Sequence, residues 1–225
     1  MKFSHEVNLA LTIISGLCWT LVYILIIYRS LKDKTYGMPF WALAFNICWE
    51  FMFSIVFSAN ADSVQLIVNR IWLAFDFFIL IAYFAYGIRE WPRYLSKWLF
   101  YPYSILVLIM SYLFIYFITI RLNEFNGMSI AFMQNLMMSW LFIAMLNNRK
   151  SLVGQSLGIA IFKMIGTLAP TLEFAGRHQF VLFLGSCCFI ADWIYIVMVA
   201  KWKHTYKKRS SHKQIPFGQF STSGK

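Results

Sequence analysis

PFWALAFNICWEFMFSIVFS, Pro39 to Ser58, is a nearly unbroken apolar run with one carboxyl group, Glu50, in its middle. A stretch of about 20 such residues is what an α-helix needs to cross the ~30 Å hydrocarbon core of a bilayer. It decides the fold class: all-α and membrane-integral. An ionised group at that depth is costly, so an acid placed there is a functional candidate by default.

The pattern repeats along the chain. The 225 residues are 60% hydrophobic and only 13% charged, with a mean hydropathy of +0.62, which excludes an ordinary soluble domain. Besides Pro39 to Ser58, apolar stretches run from Asn8 to Tyr28, Ile71 to Ile88, Trp98 to Ile120, Met128 to Met145, Leu152 to Leu172 and Phe180 to Ala200. A polytopic seven-helix transmembrane bundle is expected, as one domain over 1–203. The first run follows Lys2 but is too long for a secretory signal and lacks a small-residue cleavage pattern, so it reads as a retained helix.

Charge sets the expected orientation. Arg29, Lys32, Lys34, Arg89, Arg93, Lys97, Arg149, Lys150 and the stretch from Lys201 onward fall on one side of such a bundle. By the positive-inside rule that side is cytosolic, with the C-terminus, and the N-terminus is outside or lumenal. The net charge of +11 is then explained by topology and anionic headgroups. No nucleic-acid partner is expected, because no aromatic platform or binding motif accompanies the charge. Residues 204–225 read as a basic, disordered cytosolic tail.

Cys18, Cys48, Cys187 and Cys188 lie in apolar runs without CxxC spacing, and the four histidines lie outside the spans or at their edges. Neither a disulfide framework nor a metal or haem centre is suggested, and no cofactor is expected.

At about 1.5 Å per helical residue, Glu50 lies about 16 Å above Pro39, Lys163 about 18 Å above Ser151 and Asp192 about 14 Å above Lys201. These depths are similar, so the second, sixth and seventh helices are expected to converge on a polar pocket at the midplane or on its cytosolic side. Asn46 shares a helical face with Glu50, Trp49 adjoins it, and Tyr195 shares a face with Asp192. Asp76, about 9 Å inside a boundary at Arg70, is expected on an upper wall or paired near the interface. Glu90 and Glu173, at the ends of their runs, read as hydrated boundary acids. A buried ionic network that merely orients helices is the plainer reading of the three level charges. Two acids against one lysine weaken it: the acid left without a cation is expected to hold a proton, because desolvation disfavours its charged form.

Four segments carry a resemblance: LKDKTYGMPFWALAFNICWEF into the second helix, AYGIREWP after the third, GQSLGIAIFKMIGT in the sixth and ADWIYIVMV in the seventh. In that order they resemble the integral-membrane terpene cyclases of fungal meroterpenoid and indole-diterpene biosynthesis, a family with bacterial relatives. The resemblance covers nearly the whole membrane domain but not the residues after about Lys203. It implies a seven-helix enzyme that protonates an epoxide or terminal olefin of a prenylated small molecule and so starts polyene cyclisation; the sequence has no DDxxD-like acidic cluster to hold magnesium, so metal-independent chemistry is expected. The resemblance maps the two essential acids onto Glu50 and Asp192; the depth and helical-face reading adds Asn46, Trp49, Asp76, Lys163 and Tyr195 as pocket or supporting residues. The membrane would be the endoplasmic reticulum in a fungus and the plasma membrane in a bacterium.

Two other classes remain open from the residues alone. Intramembrane acids also mark proton-coupled carriers, although no internal repeat or paired Gly/Pro-broken spans support that reading. A retinal-type receptor would need a mid-membrane lysine in the seventh helix, where none precedes Lys201.

Overall fold

Ser4 opens the first helix in the usual way for an N-cap, its hydroxyl accepting from the Val7 N–H at 3.4 Å. In this computed structural model, which describes residues 4–60 and 63–212, seven α-helices and no strand are found among the described residues. They are α1 (His5–Asp33), α2 (Phe40–Phe51), α3 (Ser63–Tyr86), α4 (Phe100–Leu122), α5 (Met128–Arg149), α6 (Leu157–Phe174) and α7 (Gln179–His212). Six of them are long and apolar enough to cross a membrane; the exception is α2 with its continuation, Phe40–Val56.

The short helix is the inner one. Asn46, Ile47, Cys48, Trp49 and Glu50 are all buried, and α2 packs against α3, α4 and α5. Its continuous apolar sequence therefore meets protein on most sides. By contrast, α1 exposes Leu9, Ile13, Leu17 and Leu21, and α4 exposes Ile105, Ile109, Phe114 and Phe117; these outward faces suit contact with lipid chains. After Phe51 the helix widens into a π turn, Met52–Val56, closed by Phe57 N–H to Met52 O at 2.8 Å. Such turns insert an extra residue and are frequent at functional sites; this one begins two residues beyond Glu50.

Pro170 sits inside α6 and does not end it. Proline has no N–H, so the carbonyl four residues earlier, Gly166, lacks its usual helical donor. The Ser15 hydroxyl of α1 supplies one at 2.8 Å. A Cβ at Gly166 would meet the Trp19 ring at 2.8 Å, so the missing side chain also lets α1 approach α6 closely.

Several boundaries differ from expectation. α3 begins at Ser63 rather than Ile71, and α7 continues to His212 rather than stopping at Ala200. The tail expected from His204 is therefore helical through His212; the remainder from 213 lies outside the described residues. At the basic end, Arg149 makes a bidentate pair with Glu90, at 2.9 and 3.0 Å, lies over the Tyr36 ring at 4.3 Å and donates to Val153 O at 3.1 Å. Glu90 is thus an ion-pair partner tying α3 to α5, where hydration alone was expected. Burial and the Glu90 carboxylate beside it push the Tyr36 phenol above its ordinary range.

Candidate active site

Tyr23 to Asp33, Phe40 to Glu50 and Asp76 to Tyr86 each span ten residues, about 15 Å of helix. Tyr23, Glu50 and Asp76 are therefore level, measured from the basic-end termini of α1, α2 and α3. Asp76 was expected higher only because α3 was expected to start late. From Ser63 it lies about 20 Å along the helix, and it is completely buried.

These three helices build one polar cluster. Asn46 Nδ2 donates to Asp76 Oδ2 at 2.8 Å and to the Tyr23 hydroxyl at 2.5 Å. The Tyr23 hydroxyl donates in turn to Glu50 Oε1 at 3.1 Å. Glu50 Oε2 and Asp76 Oδ1 are buried without a hydrogen-bond partner. Trp49 is fixed beside them by its indole N–H, which donates to Gly127 O at 2.9 Å. Gly127 has φ +69°, and Phe53 occupies the space a side chain there would need.

A second cluster lies on α5, α6 and α7. Lys163 Nζ donates to Asp192 Oδ1 at 2.8 Å, Asp192 Oδ2 at 3.1 Å and Ser139 Oγ at 2.6 Å. All three ammonium hydrogens are thus used. Asn135 Nδ2 donates to Thr167 Oγ1 at 2.7 Å, and Thr167 Oγ1 donates to Lys163 O at 3.0 Å. The expected single pocket of Glu50, Lys163 and Asp192 is therefore two clusters. Equal depth does not fix which way a side chain faces around its helix, and Glu50 finds its polar neighbours on α1 and α3, while Asp192 finds its own on α5 and α6.

Between the clusters lies a cavity of about 610 Å³, within the ~300–1,000 Å³ range of small-molecule pockets. Tyr23, Asn46, Trp49 and Glu50 line it from one cluster, and Asn135 and Thr167 from the other. Lys163, Asp76, Asp192 and Tyr195 are not among its lining residues. Tyr195 is buried, its hydroxyl donating to Gln155 Oε1 at 2.8 Å. Trp19, Phe53, Trp72 and Phe132 supply aromatic wall. The cavity extends away from the basic end to Gln65, Asn69, Asn126 and Glu173, where Glu173 accepts from Thr12 Oγ1 at 3.1 Å. Glu173 is thus a lining acid as well as a boundary one. On the rim, Leu17 is 61% and Val64 55% exposed, so the cavity is continuous with the apolar outer surface.

Chemically, the arrangement is a carboxyl group with one oxygen held and one unpartnered, set in an aromatic cavity. Among the described residues, no three His, Cys, Asp or Glu side chains group closely enough to hold a metal ion.

The model of the Pyr4-like transmembrane terpene cyclases matches residues 2–204. The Pyr4-family terpene cyclase mfmH of Annulohypoxylon moriforme is 30% identical over 178 residues, 77% of this chain and 72% of that protein. Terpene cyclase macJ of Penicillium terrestre is 24% identical over 93% of this chain and 72% of its own. Terpene cyclase pyr4 of Aspergillus fumigatus is 32% identical over 78 residues, about a third of each. The carrier reading has no support among these relatives. No solved structure matches.

Proposed function

Because the chain belongs to the Pyr4-like transmembrane terpene cyclases, multi-pass membrane enzymes that cyclise terpenoid substrates, we propose that it cyclises a prenylated small molecule by proton transfer from Glu50. The observation that carries this reading is the unpartnered Oε2 of Glu50, a residue that lines the aromatic cavity. Glu50 and Asp76 share a buried cluster whose other members, Tyr23 and Asn46, bring no cation, so a proton on Glu50 avoids two uncompensated charges in an apolar site.

In the proposed reaction, the Glu50 O–H bond breaks as a new bond forms to an epoxide oxygen or an olefinic carbon. The epoxide C–O bond opens, or the olefin is left cationic. Neighbouring double bonds of the folded chain then attack in turn, and the last cation loses a proton to a base or water, so substrate and product are isomers. The cavity holds the chain so that each double bond lies beside the developing charge, and its tryptophan and phenylalanine faces stabilise that charge. Asp192 serves as the ionised partner of Lys163, fixing the wall that presents Asn135 and Thr167. We further propose that the seven helices all lie within the membrane, with the basic end cytosolic and the cavity on the outer or lumenal side.

The test is expression in a host supplied with farnesylated or geranylgeranylated aromatic acceptors, with and without a terminal epoxide. Products of unchanged mass are expected from the wild type. Glu50→Gln, which keeps the shape and the Tyr23 hydrogen bond, should be inserted normally and convert nothing; an undiminished rate would overturn the proposal.

A further inference from the structure

The proposed reaction leaves the partners of Glu50 in its own cluster without a role. Asn46 uses both hydrogens of its amide nitrogen, one on Asp76 Oδ2 and one on the Tyr23 oxygen. The phenol oxygen therefore already accepts, and its own hydrogen goes to Glu50 Oε1. The orientation of the Asn46 amide sets the direction of this line. Turned over, the amide would set its carbonyl oxygen against the Asp76 carboxyl, acceptor against acceptor, and would draw the Tyr23 hydroxyl away from Glu50.

We propose that Tyr23, together with Asp76 acting through Asn46, is a positioning device for the acid: it keeps a donor on Glu50 Oε1, so that the acidic hydrogen stands on Oε2, the carboxyl oxygen without a protein partner. The inference rests on the reading of Glu50 as proton donor and adds how its two oxygens are told apart. The same donor acts after the transfer. When the Oε2–H bond breaks, its electron pair stays on the carboxylate, the charge spreads over both oxygens, and the Tyr23 hydrogen bond to Oε1 strengthens. An interaction stronger after proton transfer than before it lowers the barrier rather than the substrate affinity.

Tyr23 also packs, its ring lying 6.1 Å from Phe75 and 6.1 Å from Trp72. Tyr23→Phe separates the two roles, because it keeps the ring and removes the hydroxyl. With an epoxide-bearing farnesylated acceptor that the wild type converts, Tyr23→Phe should lower kcat about 100-fold, the scale of one lost transition-state donor, with KM within about twofold. Asp76→Asn, which offers the Asn46 amide a donor as well as an acceptor and so loosens its orientation, should lower kcat less, and the double variant should be no slower than Tyr23→Phe alone, since both act through one hydrogen bond.

A Tyr23→Phe kcat within about threefold of wild type, a loss confined to KM, or losses that multiply in the double variant would each overturn the inference. If Tyr23→Phe fails to fold, the kcat and KM of Asp76→Asn decide by the same criterion. Glu50→Gln is measured alongside: if it keeps the wild-type rate, the reading of Glu50 as donor fails; if it is dead while Tyr23→Phe is fast, only the positioning role fails.

Discussion

Lys163 and Asp192 form a closed unit, both side chains being almost wholly inaccessible, at 0% and 1%. Removing one partner leaves the other charge buried and alone, which costs about 3–5 kcal/mol, whereas replacing both with apolar residues is often near neutral. Lys163→Met is therefore expected to lower the melting temperature in detergent strongly, and Lys163→Met with Asp192→Leu to recover most of the loss. A double variant as unstable as the single would mean that the pair is not the self-contained unit described. At this scale the sequence was informative wherever a polar residue interrupts an apolar run: Asn46, Glu50, Asp76, Lys163 and Asp192 are all buried. Tyr23 was not legible, because a tyrosine in a spanning helix reads as an interfacial belt residue. Its distance of about 15 Å from the end of α1 was the available signal, being too deep for a belt. Which residues touch was not legible either, since depth follows from counting along a helix and facing does not.

For the helices themselves, the seven apolar runs correspond to the seven α-helices. The ends were less legible. The start of α3 lies in the polar-flanked stretch before Arg70, where mean hydropathy is no guide to backbone hydrogen bonding. α7 runs on through Lys201, Lys203 and His204, residues that helices accept readily outside the hydrocarbon. The π turn after Phe51 has no marker in composition. α7 also bears on orientation, since its basic continuation stands at the same end as the Arg149–Glu90 pair. A reporter active only in the cytosol is expected to signal when fused after α7 and to be silent when fused before α1. The reverse pattern would invert the proposed topology and put the cavity on the cytosolic side.

Taken whole, the molecule is tied by ion pairs and hydrogen bonds at one end, and the cavity beside Glu50 opens toward the other. Arg149 with Glu90 and Tyr36, and Arg29 with Leu152 O at 2.7 Å, join the connecting segments at the basic end. The cavity opens away from them, rimmed by exposed apolar side chains such as Leu17 and Val64. A prenylated molecule partitions into lipid by about 0.8 kcal/mol per buried methylene, so it reaches such a rim already dissolved in the bilayer. The relevant concentration is then a surface density. Adding inert phospholipid to proteoliposomes at fixed total substrate is expected to raise the apparent KM in proportion to the lipid added, whereas changing the buffer volume at a fixed lipid-to-substrate ratio leaves the rate per enzyme unchanged. An apparent KM that follows aqueous volume instead would mean that substrate arrives through water. On the bilayer route, turnover in a cell is governed by how crowded the membrane is with competing lipids, and by whether the enzyme making the substrate shares that membrane.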